Sequence, residues 1–241
     1  RRVRAAARLS ARWKMNAYQA DFLLSRLLYR DGLMLVIDKP AGLPVHAGPG
    51  GGDNLENYFD ALKFGLPRPP ALAHRLDRDT SGCLVLGRHR KALAKLGKLF
   101  QQNRVEKTYW AICSGAPDKP SGTVALPLKK EMSSTGWRMI AAPEGQEAAT
   151  TYRTISSADG LYFIEAKPKT GRTHQIRVHL AAIGAPIVGD PIYGEDSDEN
   201  RRAPMMLHAR RIIIPISANK EPVVVEAAPP GPMETALARL A

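Results

Sequence analysis

Cysteine is nearly missing from this 241-residue chain. Only Cys83 and Cys113 occur, without CxxC spacing, which excludes a disulfide framework and a thiolate zinc site and leaves two buried free thiols as the expectation. Long apolar runs are missing too. A helix that spans a bilayer needs ~20 consecutive apolar residues, and no secretory h-region follows the basic start, so no membrane partner and a cytoplasmic location are expected. There is no GxxxxGK[ST] loop, and Gly48-Pro49-Gly50-Gly51-Gly52 lacks the strand-to-helix context of a dinucleotide fingerprint; no nucleotide cofactor is implied. His174 and His179 stand five apart, off a common helix face, with no Cys or paired carboxylate to complete a ligand set, so no metal is expected. Acids are also few, 23 Asp and Glu against 35 Lys and Arg, for a formal charge of +12.

What is present suits a globular body with a basic appendage. The chain is 44% hydrophobic, enough for a sizeable core in one large domain or two lobes. Residues 1–14 hold Arg1, Arg2, Arg4, Arg8, Arg12 and Lys14 without one acid. A flexible basic arm on a mildly basic body fits a polyanionic partner, because Lys and Arg that neutralise phosphates release counterions; a solvated tail fits residues 1–14 equally well. The acidic run Glu195 to Glu199 reads as a solvated loop.

Strand patterns dominate the body. Leu33–Ile37 is an apolar run stopped by Asp38-Lys39-Pro40-Ala41-Gly42, and Leu84–Leu86 reads as a buried strand. Further strands are expected at Lys107–Ser114, Gly122–Leu126, Thr150–Ser156, Leu161–Ala166 and Arg210–Ile216. Helical spacing recurs in Leu55, Tyr58, Phe59 and Leu62, and in Leu93, Leu96, Leu99 and Phe100 of an amphipathic helix over Lys91–Gln102. His174–Ile183 carries Ile176, Leu180 and Ile183 on one face with Gly184 as C-cap, and Met233–Leu240 forms a terminal helix. Most connections are too short for parallel crossovers, so the fold class is α+β on a mostly antiparallel sheet.

The densest chemistry lies in His74-Arg75-Leu76-Asp77-Arg78-Asp79-Thr80-Ser81-Gly82, a polar turn that feeds the strand at Cys83. Flanking Arg residues orient a carboxylate there and favour its ionised form, which makes Asp77 the candidate reactive group. For a lone Asp, an Asx-type cap is the commoner role, and Asp79 suits it better. A glycosidase-like hydrolase, which wants a second carboxylate, and a non-catalytic RNA-binding module, which wants only basic surface, are both open on these residues.

The run HRLDRDTSG, preceded by LLYRDGLMLVIDKPAGLPVH (27–46) and followed by Lys107-Thr108-Tyr109 and KTGRTHQIRVHLAAIGAPIVGDPIYG (169–194), resembles the RluA-type RNA pseudouridine synthases over roughly residues 25–216. The resemblance implies a catalytic domain over 15–241, two lobes flanking a central cleft, and isomerisation of uridine in transfer or ribosomal RNA by a monomer without cofactor. It makes Asp77 the catalytic carboxylate. Tyr109 becomes the residue that stacks on the target base and takes a proton from the sugar, and Arg177 the cation beside Asp77. Arg172 is left to phosphate or loop contacts, and Arg75 to bracing the stack from which the base is extruded. Lys39, His46, His74 and His174 are the remaining expected RNA contacts.

Overall fold

A computed structural model of the chain describes residues 17–48, 51–133, 136–217 and 219–240; the basic arm expected over residues 1–14 lies outside them. In chain order these form α1 (Ala17–Leu24), β1 (Leu27–Arg30), β2 (Met34–Lys39), a 3-10 helix (Leu55–Leu62), β3 (Ala71–Leu72), β4 (Ser81–Gly87), α2 (Arg90–Gln101), β5 (Glu106–Cys113) and β6 (Ser121–Val124). There follow β7 (Leu128–Ser133), β8 (Gly136–Ala141), β9 (Thr150–Ala158), β10 (Leu161–Pro168), α3 (Gln175–Ala182), α4 (Asp198–Arg202), β11 (Leu207–Ile214), β12 (Val223–Glu226) and α5 (Gly231–Leu240).

Ten strands make one sheet in the order β1-β2-β4-β11-β5-β10-β9-β6, with β3 beside β4 and β12 beside β11. Its ladders are antiparallel except where β4 meets β11. The two expected lobes are therefore the two halves of one continuous α+β sheet, joined at that parallel pair. Gly82 makes the join possible. Its φ is +105°, and a Cβ there would stand 2.3 Å from the carbonyl oxygen of Ala209, so any side chain would force the halves apart directly after the Asp77 turn.

β2 and β4 read as unbroken apolar runs because both of their faces are buried. Leu35, Ile37, Leu84 and Leu86 pack on one side against Leu55, Tyr58, Phe59 and Leu62 of the 3-10 helix. Met34, Val36, Cys83 and Val85 pack on the other against Leu96 and Leu99 of α2, whose Lys91, Lys95 and Lys98 are exposed. Both cysteines are free and buried.

α3 is more buried than a one-faced reading implies: every residue from Gln175 to Leu180 is inside. Gly184, at φ +77°, follows its C-cap as expected. The acidic run is only partly loop, because Ser197 caps the Asn200 amide and starts α4 at Asp198. The β7–β8 hairpin forms its own two-stranded sheet. It is tied to α3 through Leu128, Met139, Val178 and Tyr193.

Candidate active site

Three stretches far apart in sequence converge at the junction of the half-sheets: the turn before β4, the middle of β5, and α3 with the loops on either side of it. Between them opens a cavity of about 480 Å³ lined by Arg75, Asp77, Lys107, Tyr109, Arg172, His174 and Arg177, among others. Asp77 is the only carboxylate on that wall among the described residues.

Lys39 builds the turn that carries Asp77. Its side chain is fully buried, and its ammonium donates to the carbonyls of Pro40, Arg78 and Thr80 at 2.7, 2.8 and 2.9 Å. All three of its protons are spent. Burial pulls its pKa down to about 8, against the opposing pull of Asp79, Asp77 and Asp38. The expectation that Lys39 touches RNA is corrected on this ground: it is a brace beneath the turn.

Arg177 is the central connector. Its Nε and Nη2 donate to the two carboxylate oxygens of Asp190 at 2.7 and 2.8 Å, and its Nη1 donates to Asp77 Oδ2 at 3.3 Å. Burial opposes the charge, but Asp190 and Asp77 outweigh it, so the guanidinium pKa is raised further. Asp190, with no side-chain exposure, is likewise pushed up by burial. Arg177 and the amides of Ile192 and Tyr193 more than offset that, and its pKa ends below the usual carboxylate range. The fork geometry of guanidinium on carboxylate fixes the orientation of Arg177, so one nitrogen is left aimed at Asp77. Of the two arginines weighed from sequence, Arg177 is thus the one beside Asp77. Arg172 is exposed on the cavity rim and donates from Nε to the Glu147 carbonyl at 3.0 Å.

Gln175 clamps the loop that leads into α3. Its amide oxygen accepts from Thr170 Oγ1 and the Arg172 amide, and its nitrogen donates to the Ala149 carbonyl and Thr150 Oγ1. The next residue back, His174, is held in the left-handed region at φ 53°, ψ 17°, an unfavourable place for a residue with a Cβ. Its ring stacks on Trp137 of β8 at 5.2 Å, and its Nε2 lies 3.9 Å from Asp77 Oδ2. The Tyr193 hydroxyl accepts from the Met139 amide at 2.8 Å. The same hydroxyl hydrogen-bonds His174 Nδ1, 2.9 Å away, so the His174 ring is anchored on one edge while its Nε2 faces Asp77. Burial lowers the His174 pKa against the opposing pull of Asp77 and so favours the neutral ring.

Tyr109 sits on β5 and is 9% exposed. Burial, and then the charge of Asp77, push its hydroxyl pKa far above the ordinary value, so it is a neutral phenol at any physiological pH.

The other expected contacts divide. Arg75 is exposed on the cavity wall, and Asp79 is held by Arg78 at 3.1 Å rather than by Arg75. His74 lines the cavity, but its Nε2 accepts from the Val85 amide at 3.1 Å and its ring stacks on Phe100 at 4.5 Å. Burial drives its pKa down to about 3, which corrects the expected role: it presents no charge to RNA and pins the turn to β4. His46 is away from the cavity wall and pairs with Glu56 at 2.9 Å, so it is not gathered with the rest. Asp190 and Tyr193 were overlooked as site residues, although both stand in the quoted segment GDPIYG. Among the described residues no group of three or more His, Cys, Asp or Glu side chains gathers in a metal-binding arrangement.

The sequence of residues 33–182 matches the RNA pseudouridylate synthase family. The chain is 46% identical over 207 residues to an uncharacterized RNA pseudouridine synthase of Zymomonas mobilis, covering 85% of this chain and 94% of that one. It is 36% identical to the ribosomal large subunit pseudouridine synthase D of Nitrosomonas europaea, covering 81% of this chain and 57% of that relative. The solved structure of human RNA pseudouridylate synthase domain containing 4 superposes with a TM-score of 0.78 at 29% identity, over 92% of this chain and 95% of that one.

Proposed function

From the premise that this chain belongs to the RNA pseudouridylate synthase family and is an isomerase acting on RNA, we propose that it converts uridines of structured transfer or ribosomal RNA with Asp77 as its catalytic carboxylate. One observation carries this reading. Asp77 is the sole carboxylate on the cavity wall among the described residues, and a buried, doubly anchored arginine meets it at 3.3 Å.

The reaction breaks the bond between C1′ and N1 of the uridine, turns the uracil, and joins C1′ to C5. The C5 proton is lost and N1 gains one, so nothing is consumed. Asp77 serves either by attacking C1′ or by drawing off the 2′ proton, and both routes need the carboxylate ionised and water kept out, since water would convert an isomerase into a glycosidase. Arg177 holds the carboxylate in place. Tyr109, as a neutral phenol, gives the extruded base a stacking face and a hydroxyl donor. That departs from the sequence expectation that it takes a proton from the sugar, because a base would require the phenolate that burial disfavours. Arg75 and Arg172 on the rim meet phosphates. A hydrolase of the two-carboxylate type is disfavoured because Asp190, the other carboxylate nearby, has both oxygens engaged by Arg177 and no exposure.

Unmodified transfer RNA and large-subunit ribosomal RNA transcripts, tritiated at uridine C5, test the proposal. The enzyme should release tritium from at least one of them, and pseudouridine should be found at the released positions. Release from neither would contradict it.

A further inference from the structure

Lys107 is a cation in the cavity with no assigned work. It stands two residues before Tyr109 on the same face of β5, about 7 Å along the strand, and lines the cavity with it. Its ammonium makes one hydrogen bond, to the Thr170 carbonyl at 3.3 Å, and it forms no ion pair among the described residues. Two of its three donors are left over. The groups that share its cavity bring it no counter-charge: His74 and Tyr109 are neutral, Arg75 and Arg172 are cations, the one carboxylate, Asp77, is paired with Arg177 at 3.3 Å, and Arg211 borders the adjoining crevice. Burial accordingly lowers the Lys107 pKa with no carboxylate pulling it back.

An uncompensated, largely desolvated ammonium is costly unless a ligand supplies the counter-charge. Lys39 shows the contrast, since its three protons are all taken by backbone carbonyls. Arg172 belongs to the same 170–172 loop that Lys107 touches, so two cations stand close together on the wall of the cavity that also holds Asp77, Arg177 and Tyr109. We propose that Lys107 binds a phosphodiester immediately flanking the uridine whose base faces Tyr109. The distance between the two side chains along β5 matches the spread of a base and the phosphates of its own nucleotide. The inference rests on the proposed function and adds to it the point at which the backbone of the target nucleotide is gripped.

The test uses a synthetic RNA stem-loop that the wild-type enzyme converts, with its phosphodiesters replaced one at a time by uncharged methylphosphonates. For wild type, one linkage beside the target should raise the half-saturating RNA concentration about tenfold when neutralised. Lys107→Met should bind the fully charged RNA more weakly by a similar factor, be indifferent at that one linkage, and show a salt slope flatter by ~0.7. Lys107→Gln, which keeps a donor for Thr170 without the charge, should behave like Lys107→Met. If both variants respond to every linkage as wild type does, or if Lys107→Gln is fully active with wild-type affinity, Lys107 only steadies the loop and the inference fails. Absence of conversion by wild type on any RNA would instead overturn the function proposed above, and this inference with it.

Discussion

The floor and the rim of the cavity are built on opposite principles. On the floor Arg177 and Gln175, and beneath it Lys39 and Asp190, are buried, and nearly every donor and acceptor has a partner within the protein. On the rim, Arg75 and Arg172 are exposed, and Lys107 on the same wall lacks a counter-charge. A group whose partners are all internal is fixed before substrate arrives, which is what a reacting carboxylate needs. One with spare donors gains its partner from the RNA. The floor should therefore govern rate and the rim affinity.

The largest way to break that division is at Arg177. Arg177→Met strands Asp190, which has no side-chain exposure, and should cost roughly 3–5 kcal/mol of stability together with nearly all turnover. The double variant Arg177→Met/Asp190→Leu should regain most of the stability in a urea titration and none of the activity. Recovery of turnover in the double variant would show that the arginine serves only to balance Asp190.

Tyr109 comes next. Tyr109→Ala should lower the saturated single-turnover rate by ~100-fold through loss of the stacking face, whereas Tyr109→Phe should stay within about tenfold. A loss above ~100-fold in Tyr109→Phe would return the hydroxyl to proton transfer. On the rim, Arg172→Met should raise the half-saturating RNA concentration about tenfold and leave the saturated rate within about threefold; a fall in saturated rate alone would move Arg172 to the floor.

The smallest effect concerns acid. The folded-state pKa of His74 is lowered to about 3, so between the unfolded value near 6.5 and that figure the unfolded chain binds a proton that the folded chain refuses. Stability is then whole above pH 6.5 and falls as pH drops through the window, by about 1 kcal/mol over the first unit. His74→Gln should flatten that slope in denaturant titrations at pH 7 and 5.5.

The same contrast governs what could be read from sequence. Asp77 and Arg177 were legible because each stands in a short segment dense in polar residues, and the buried strands β2 and β4 announce themselves as apolar runs. What was not legible there is direction. Nothing in a sequence distinguishes a lysine capped by three carbonyls, Lys39, from one facing a cavity, Lys107. His74 reads as a basic side chain until its nitrogen is seen to accept from the Val85 amide. The hairpin β7–β8 escaped altogether, because Lys129, Lys130, Met132, Trp137 and Arg138 are exposed and give no apolar alternation to detect. β1, β3 and β12 are short strands of two to four residues, too brief to carry a period. Asp190 was passed over because its partner Arg177 lies 13 residues away, across the end of α3.

The central claim is that the catalytic carboxylate is Asp77, and the most direct measurement is single-turnover tritium release from C5-labelled RNA by Asp77→Asn at saturating enzyme. The substitution keeps the size of the side chain and an acceptor for Arg177 while removing the charge. The account predicts release no faster than the RNA alone, with RNA affinity within a few-fold of wild type. Release at a rate within tenfold of wild type would contradict it.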